Sequence, residues 1–287
     1  MNVNDLLFKK LDLASVKTLV NWAAIEGWNP GISDAELFYA TDPDGFYGYF
    51  LDGKMIGGGS IVSYNGAYGF MGFFIVKPEY RSSGIGRKLW FQRREKLRER
   101  LKQNAPIGMD GVVAMQAFYA KGGFKIAFKD ERYARTAERF MADKNISEIT
   151  ENDFEAVLEL DKKCFGFERE NFLNAWLNQP TAKTFKYTLN GRLQGFAMVR
   201  KCLNGWKVCP LFAENYTIAE ALYQACLSGI PRGENLFIDI PMCNREAIKL
   251  VRNFNGEYVF ECARMYFGTP PKNNWNFVFG ITSFELG

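Results

Sequence analysis

Apolar positions along this chain alternate between the two-residue period of a strand and the 3.6-residue period of a helix. Leu6 to Leu11 reads as a strand and Ala14 to Ile25 as an amphipathic helix. Ser33 to Ala40 reads as a second helix, opened by Ser33-x-x-Glu36, a capping box whose side chains satisfy the first free N–H groups. Phe46 to Leu51 and Met55 to Tyr64 form a hairpin about Asp52-Gly53, a dipeptide that tolerates the positive φ angles of a tight turn. Tyr68 to Val76 is almost wholly apolar, the pattern of a central strand covered on both faces. A helix from about Ile85 to Gln103, a short strand near Gly108, a helix carrying Tyr119 and a strand from Phe124 to Phe128 follow. Lys129 to Lys144 is charged and reads as a helical connection.

The order then repeats. Ile146 to Ile149 reads as a strand, Asn152 to Phe165 and Arg169 to Leu177 as helices, and Thr184 to Leu203 as a hairpin turning at Asn190-Gly191. Trp206 to Phe212, Leu236 to Ile240 and Tyr258 to Phe267 are strands separated by helices at Thr217 to Leu227 and Asn244 to Asn253. The expected domains are therefore residues 1–140 and 145–287. A chain of 287 residues with 47% hydrophobic positions is long enough for two cores.

Between the apolar strand and its helix lies Lys77-Pro78-Glu79-Tyr80-Arg81-Ser82-Ser83-Gly84-Ile85-Gly86-Arg87. Gly84 and Gly86 let the backbone approach a ligand, while the free N–H groups of the helix that starts near Ile85 point into the turn. A diphosphate suits that geometry, because the helix dipole favours its charge and Arg81 adds a charge-assisted donor. No Gly-Lys-Ser/Thr closes the loop and the spacing is not Gly-x-Gly-x-x-Gly, so neither the Walker nor the dinucleotide fingerprint applies.

Arg81-x-x-Gly84-x-Gly86 after an apolar strand resembles the acetyl-CoA pyrophosphate loop of the GCN5-related N-acetyltransferase (GNAT) superfamily. Phe118-Tyr119-x-x-x-Gly123-Phe124 resembles the end of the GNAT catalytic core, although Met115-Gln116 occupies the region where that family commonly has an asparagine. Glu26-Gly27-Trp28-Asn29-Pro30-Gly31, Asp42-Pro43-Asp44-Gly45-Phe46, Gly108-Met109-Asp110-Gly111 and Phe284-Glu285-Leu286-Gly287 extend the likeness to a bacterial branch of two-domain GNAT proteins with a degenerate second half. The resemblance implies an α/β fold of tandem GNAT-like domains, each a mixed, largely antiparallel sheet flanked by helices. It also implies acetyl-CoA as co-substrate, held by Phe74, Ile75 and Val76 along the strand and by Arg81, Ser82, Ser83, Gly84, Ile85, Gly86 and Arg87 in the loop.

Tyr119 is the implied proton donor to the departing sulfur, a role suited to a phenol whose ordinary pKa of about 10 lies near that of an alkyl thiol. Asp110 and Glu26 are both candidates for the base that takes the acceptor's ammonium proton, and Asp110 also reads as a turn residue. Pro30 and Gly31 interrupt the helix, which leaves Trp28 and Asn29 as expected acceptor contacts, although Trp28 reads equally as a core anchor. The second half has Ala213-Glu214-Asn215-Tyr216 where a phosphate loop would stand, with an acid in place of the glycine pair, so one cofactor site per chain is expected.

Composition narrows the chemistry. The chain has no histidine, which removes Ser-His and Cys-His nucleophiles and every His-containing metal site, and no metal is expected. Its six cysteines lie in the second half with no C-x-x-C pair and read as reduced core residues. A net charge of +4, with both signs interspersed, does not imply nucleic acid, and the basic run Arg93, Arg94, Lys96, Arg98, Arg100 and Lys102 reads as a solvated helix face. Asn2, Asn4, Asp5, Lys9 and Lys10 leave no apolar signal-peptide core, and no stretch approaches a membrane span, so a cytoplasmic location is the default. The expected function is acetyl-CoA-dependent N-acyl transfer to an amine of a small molecule or peptide; the alternative is a non-catalytic acyl-CoA-binding regulatory module.

Overall fold

The computed structural model describes residues 6–287. The expectations placed on Asn2, Asn4 and Asp5 fall outside those residues. The first half runs β1 (Leu7–Lys10), α1 (Leu13–Ile25), α2 (Asp34–Thr41), β2 (Phe46–Leu51), β3 (Lys54–Tyr64), β4 (Tyr68–Val76), α3 (Ile85–Arg98), β5 (Ile107–Val112), α4 (Gln116–Lys121) and β6 (Lys125–Thr136). The second runs β7 (Ile146–Ser147), α5 (Phe154–Phe165), α6 (Glu170–Leu177), β8 (Ala182–Leu189), β9 (Arg192–Lys201), β10 (Trp206–Ala213), α7 (Tyr216–Gly229), β11 (Asn235–Pro241), α8 (Arg245–Asn253), β12 (Glu257–Phe267) and β13 (Val278–Gly280).

All of these strands join one mixed sheet, in the order β1-β2-β3-β4-β5-β12-β6-β11-β10-β9-β8-β7, with β13 beside β10. The two halves exchange their late strands. β12 lies antiparallel to β5, from Cys262 opposite Val112 to Phe267 opposite Ile107. β6 lies between β12 and β11. An element order repeated in sequence does not say which half each strand joins; that depends on pairing between residues more than a hundred positions apart.

Three local expectations need correction. Residues Lys129 to Thr136 are strand and not helix, because their charges are matched across neighbouring strands: Lys129 with Glu261 on β12 and Arg132 with Asp239 on β11. Such pairing overrides the helical preference of a charged run. Ser33 does stand at the start of α2, but its side chain makes no capping bond, and Glu36 pairs with Lys17 instead. The basic face of α3 is not uniformly solvated. Arg93 shares a four-residue spacing with Ile85, Leu89 and Leu97 and is fully buried with them. Its guanidinium donates to the carbonyls of Ser60 and Gly72, the latter at 2.8 Å, and burial without a carboxylate partner pushes its pKa down to about 9.

Helices α1 and α2 cover one face of β4, with Val16, Leu19 and Phe38 packed against Phe70, Phe73 and Ile75. Helices α3 and α4 cover the other, with Trp90, Leu97 and Tyr119 packed against Met71, Met109 and Met265. The first core continues into the second half, where Phe38 stacks on Trp176 at 5.8 Å and the buried Asp34 pairs with Arg200 at 3.0 Å.

Candidate active site

Strands β4 and β5 are parallel and hydrogen-bonded at Gly69–Ile107 and Phe70–Gly108, yet both continue beyond that pairing, to Val76 and Val112. Where neighbouring strands separate in this way, backbone donors and acceptors face a gap. The other edge of β4 is irregular too. Its register with β3 steps from Ile75 opposite Gly58 to Gly72 opposite Ser60, so Phe73 and Phe74 face Gly59 alone. This is a β-bulge, and Phe73 sits in it at φ 48°, a costly conformation for a bulky residue that is typically found at functional sites. The gap opens into a cavity of ≈ 760 Å³ whose walls include Met71, Met109 and Tyr119 from one face of the sheet and Phe73 and Trp28 from the other. The cavity therefore passes through the sheet.

On the α3 side, Gly84 is the N-cap residue at φ 84°, and no side chain caps the helix. The left-handed backbone turns the chain into the helix at little cost only because the residue is glycine. Ser82, Gly84, Gly86 and Arg87 line the cavity. Ser83 and Ile85 do not: Ser83 Oγ donates to the Tyr80 carbonyl at 2.6 Å, and Ile85 is buried beside Leu89 and Val76. Arg81 Nε donates to the Val76 carbonyl at 2.9 Å while its Nη2 pairs with Glu26, so this arginine lines the cavity and engages one of the candidate bases. The equivalent turn of the second half is different. The Asn215 side chain accepts from Ile218 N at 3.1 Å and Glu214 pairs with Arg192, so α7 caps itself.

Tyr119 lies on α4 with its ring stacked 5.9 Å from that of Trp90. Burial raises its phenol pKa, opposed by the nearby charge of Arg93, and the hydroxyl is protonated at neutral pH. Phe74, Ile75 and Val76 also line the cavity, as expected for the strand that carries the bulge.

On the opposite face the cavity is walled largely by residues to which the sequence assigned no site role. Asp110 does line it, but its two oxygens accept from Arg264 at 2.6 and 2.9 Å. Burial pushes the Asp110 carboxyl up to about 6 in spite of that arginine. Arg132, Phe260, Cys262, Phe284 and Glu285 complete this wall. Arg132 is itself held by Asp239, at 2.5 and 2.7 Å, and donates to the Trp28 carbonyl at 3.1 Å. Trp28 lines the cavity; Asn29 instead joins the halves through reciprocal 2.8 Å bonds with the backbone of Asn204. The available signal for the missed residues was a charged side chain inside an otherwise apolar strand or segment, as at Arg264 and Glu285.

Two family models match this chain in succession: "Acetyltransferase (GNAT) family" over residues 13–124 and "Acetyltransferase (GNAT) domain" over residues 157–280. The chain is 27% identical over 280 residues to the holothin acyltransferase of Pseudoalteromonas sp. strain SANK 73390, covering 97% of this chain and 94% of that protein. A solved structure from Pyrococcus horikoshii superposes with a TM-score of 0.85 at 23% identity, covering 100% of this chain and 98% of the other. A tandem GNAT protein from the clavulanic acid biosynthesis pathway superposes with a TM-score of 0.67 at 14% identity, over 93% and 99% of the respective chains. With both halves matched and the open strand pair and uncapped helix in the first, the chain belongs to the GNAT superfamily as a tandem-domain acyltransferase.

Proposed function

We propose that the protein transfers an acetyl group from acetyl-CoA to the amine of a small molecule or peptide. The observation that carries this reading is a single cavity joining the uncapped start of α3 to the opened pair β4 and β5 and continuing to the far face of the sheet. The N–H groups from Ser82 to Arg87 would hold the diphosphate, and the backbone of Phe73 to Val76 the pantetheine arm. Acetyl-CoA supplies an activated thioester. The chain supplies donors at the Phe73 bulge for the carbonyl oxygen, the Tyr119 hydroxyl to protonate the leaving sulfur, and apolar walls that exclude water. A fixed geometry of this kind lowers the barrier by orienting the amine and carbonyl together.

Phe260, Cys262, Phe284 and Glu285 support a role for the second half in shaping the acceptor side. The test is a thiol-release screen with acetyl-CoA against 2-phenylethylamine, tryptamine, spermidine, amino acids and short peptides. Amine-dependent thiol release with the acetylated product found by mass spectrometry is expected. A chain that binds acetyl-CoA and turns over none of these amines would contradict the reading.

A further inference from the structure

The cavity's far wall contains one carboxylate not held by an arginine. Glu26 is engaged by Arg81 and Asp110 by Arg264. Asp130 is buried without hydrogen-bond partners, but it does not line the cavity. Glu285 does line it, is 5% exposed, and among the described residues its carboxylate oxygens have no hydrogen bond or ion pair.

Its position is rigidly set by the segment that carries it. Ser283 Oγ accepts from Glu285 N at 3.2 Å and Leu286 N at 2.9 Å, forming a tight turn. Ser60 Oγ donates to the Glu285 carbonyl at 3.3 Å, Tyr64 Oη to the Leu286 carbonyl at 2.8 Å, and Arg169 Nη1 to the Gly287 carbonyl at 3.1 Å. The segment lies directly on β4, since a Cβ added to Gly72 would fall 2.0 Å from the Glu285 carbonyl oxygen. Gly72 adjoins the Phe73 bulge, so the Glu285 backbone is held beside the donors assigned above to the thioester carbonyl, and its side chain lines the same cavity.

We propose that Glu285 is the catalytic base that takes the acceptor's ammonium proton. The proposal rests on the acetyl-transfer reading. The ammonium gives one proton to Glu285, directly or through one water, and becomes a nucleophilic amine. A nitrogen–carbon bond then forms and the carbon–sulfur bond breaks, with the Tyr119 hydroxyl giving its proton to sulfur. The second nitrogen proton, lost as the amide forms, returns to Tyr119 through solvent, and Glu285 releases its proton to bulk. The net change is ammonium plus thioester to amide, thiol and one proton released to solvent.

The electrostatics are consistent with this role. Burial raises the Glu285 carboxyl above its ordinary range, with Asp34 adding to the shift and Lys207, Arg200 and Arg132 opposing it; Asp110 is a further carboxylate neighbour. Two of the three cations have their own carboxylates, Asp34 for Arg200 and Asp239 for Arg132, while Lys207 Nζ donates to the Asn29 carbonyl at 3.3 Å. A carboxylate raised toward neutrality is a better proton acceptor than a solvated one.

The experiment compares wild type, Glu285→Gln and Glu285→Asp as full-length proteins, using the best amine from the panel above. Glu285→Gln is expected to lower kcat/KM by about 10²-fold or more near pH 7 with acetyl-CoA affinity unchanged and the thermal midpoint not lowered. The deficit should narrow as pH approaches the amine's own pKa, where solvent deprotonates the acceptor, and Glu285→Asp should recover part of the rate. A Glu285→Gln protein with near wild-type kcat/KM, or a deficit equal at every pH, would overturn the assignment while leaving acetyl transfer intact. Absence of amine-dependent turnover in wild type would instead overturn acetyl transfer and this proposal with it.

Discussion

At the scale of single residues, the site depends on which polar groups are committed to structure and which are not. Asp110 and Arg264 form a buried bidentate pair, and removing one partner of such a pair leaves an uncompensated charge. Arg264→Met leaves the Asp110 carboxylate buried without its partner and is therefore expected to cost about 3 kcal/mol of stability, read as a lowered urea midpoint at pH 7. The folded Asp110 carboxyl lies at about 6 against an ordinary value of 3.8, so between those values the folded chain holds a proton that the unfolded chain releases. Its contribution to stability therefore falls as pH rises through that window, and Asp110→Asn should flatten this slope. An unchanged midpoint and slope would show that the pair does not act as a buried couple. Tyr119→Phe removes a proton donor and almost no packing volume beside Trp90. It should keep acetyl-CoA affinity and lower kcat; a wild-type kcat across the pH range would remove the hydroxyl from the mechanism.

At the scale of elements, the informative contrast is between the starts of α3 and α7. One begins at a left-handed glycine with no side-chain cap, the other at Asn215, whose side-chain oxygen accepts from the free N–H of Ile218. The first suits the proposed diphosphate because no side chain among the described residues caps its first N–H groups. Gly84→Glu introduces a side chain where φ is 84° and sets a carboxylate against the diphosphate position. Loss of acetyl-CoA binding by at least about tenfold in calorimetry is expected, since one lost charge-assisted contact alone is worth about 1.5–3 kcal/mol. Unchanged affinity in a folded variant would move the cofactor elsewhere. Regular strand and helix periods made these elements legible in the sequence. The strand from Lys125 to Thr136 was not, because its charges are satisfied by partners on β11 and β12 that local pattern cannot reveal.

At the scale of the whole molecule, the exchanged strands make the two halves interdependent. A chain ending near Asp143 would lose β12 from the edge of β5 and both neighbours of β6, leaving Asp110 without Arg264 and Arg132 without Asp239. Unpaired strand edges favour aggregation, and refolding the first half alone would bury charges that have lost their partners. The expected result is an insoluble product that does not bind acetyl-CoA. A soluble monomer of that length with wild-type affinity would show that β5 and β6 can close the first sheet without the second half.

The sequence by itself determined the α/β class, the repeated element order, the loop from Arg81 to Arg87 and the position of Tyr119, because each rests on local periods, turn glycines and short spacings. The tertiary structure decided the rest of the site. Residues 110, 132, 264 and 285 are far apart in the chain, and whether a carboxylate is tied to an arginine or free in a cavity depends on strand order and register. Asp110 and Glu26 looked available in the sequence and are both engaged by arginines, while Glu285 is held at the bulge of β4 by contacts that span more than two hundred residues. Burial and long-range pairing set the charge state of each group, and neither is a local property of the chain.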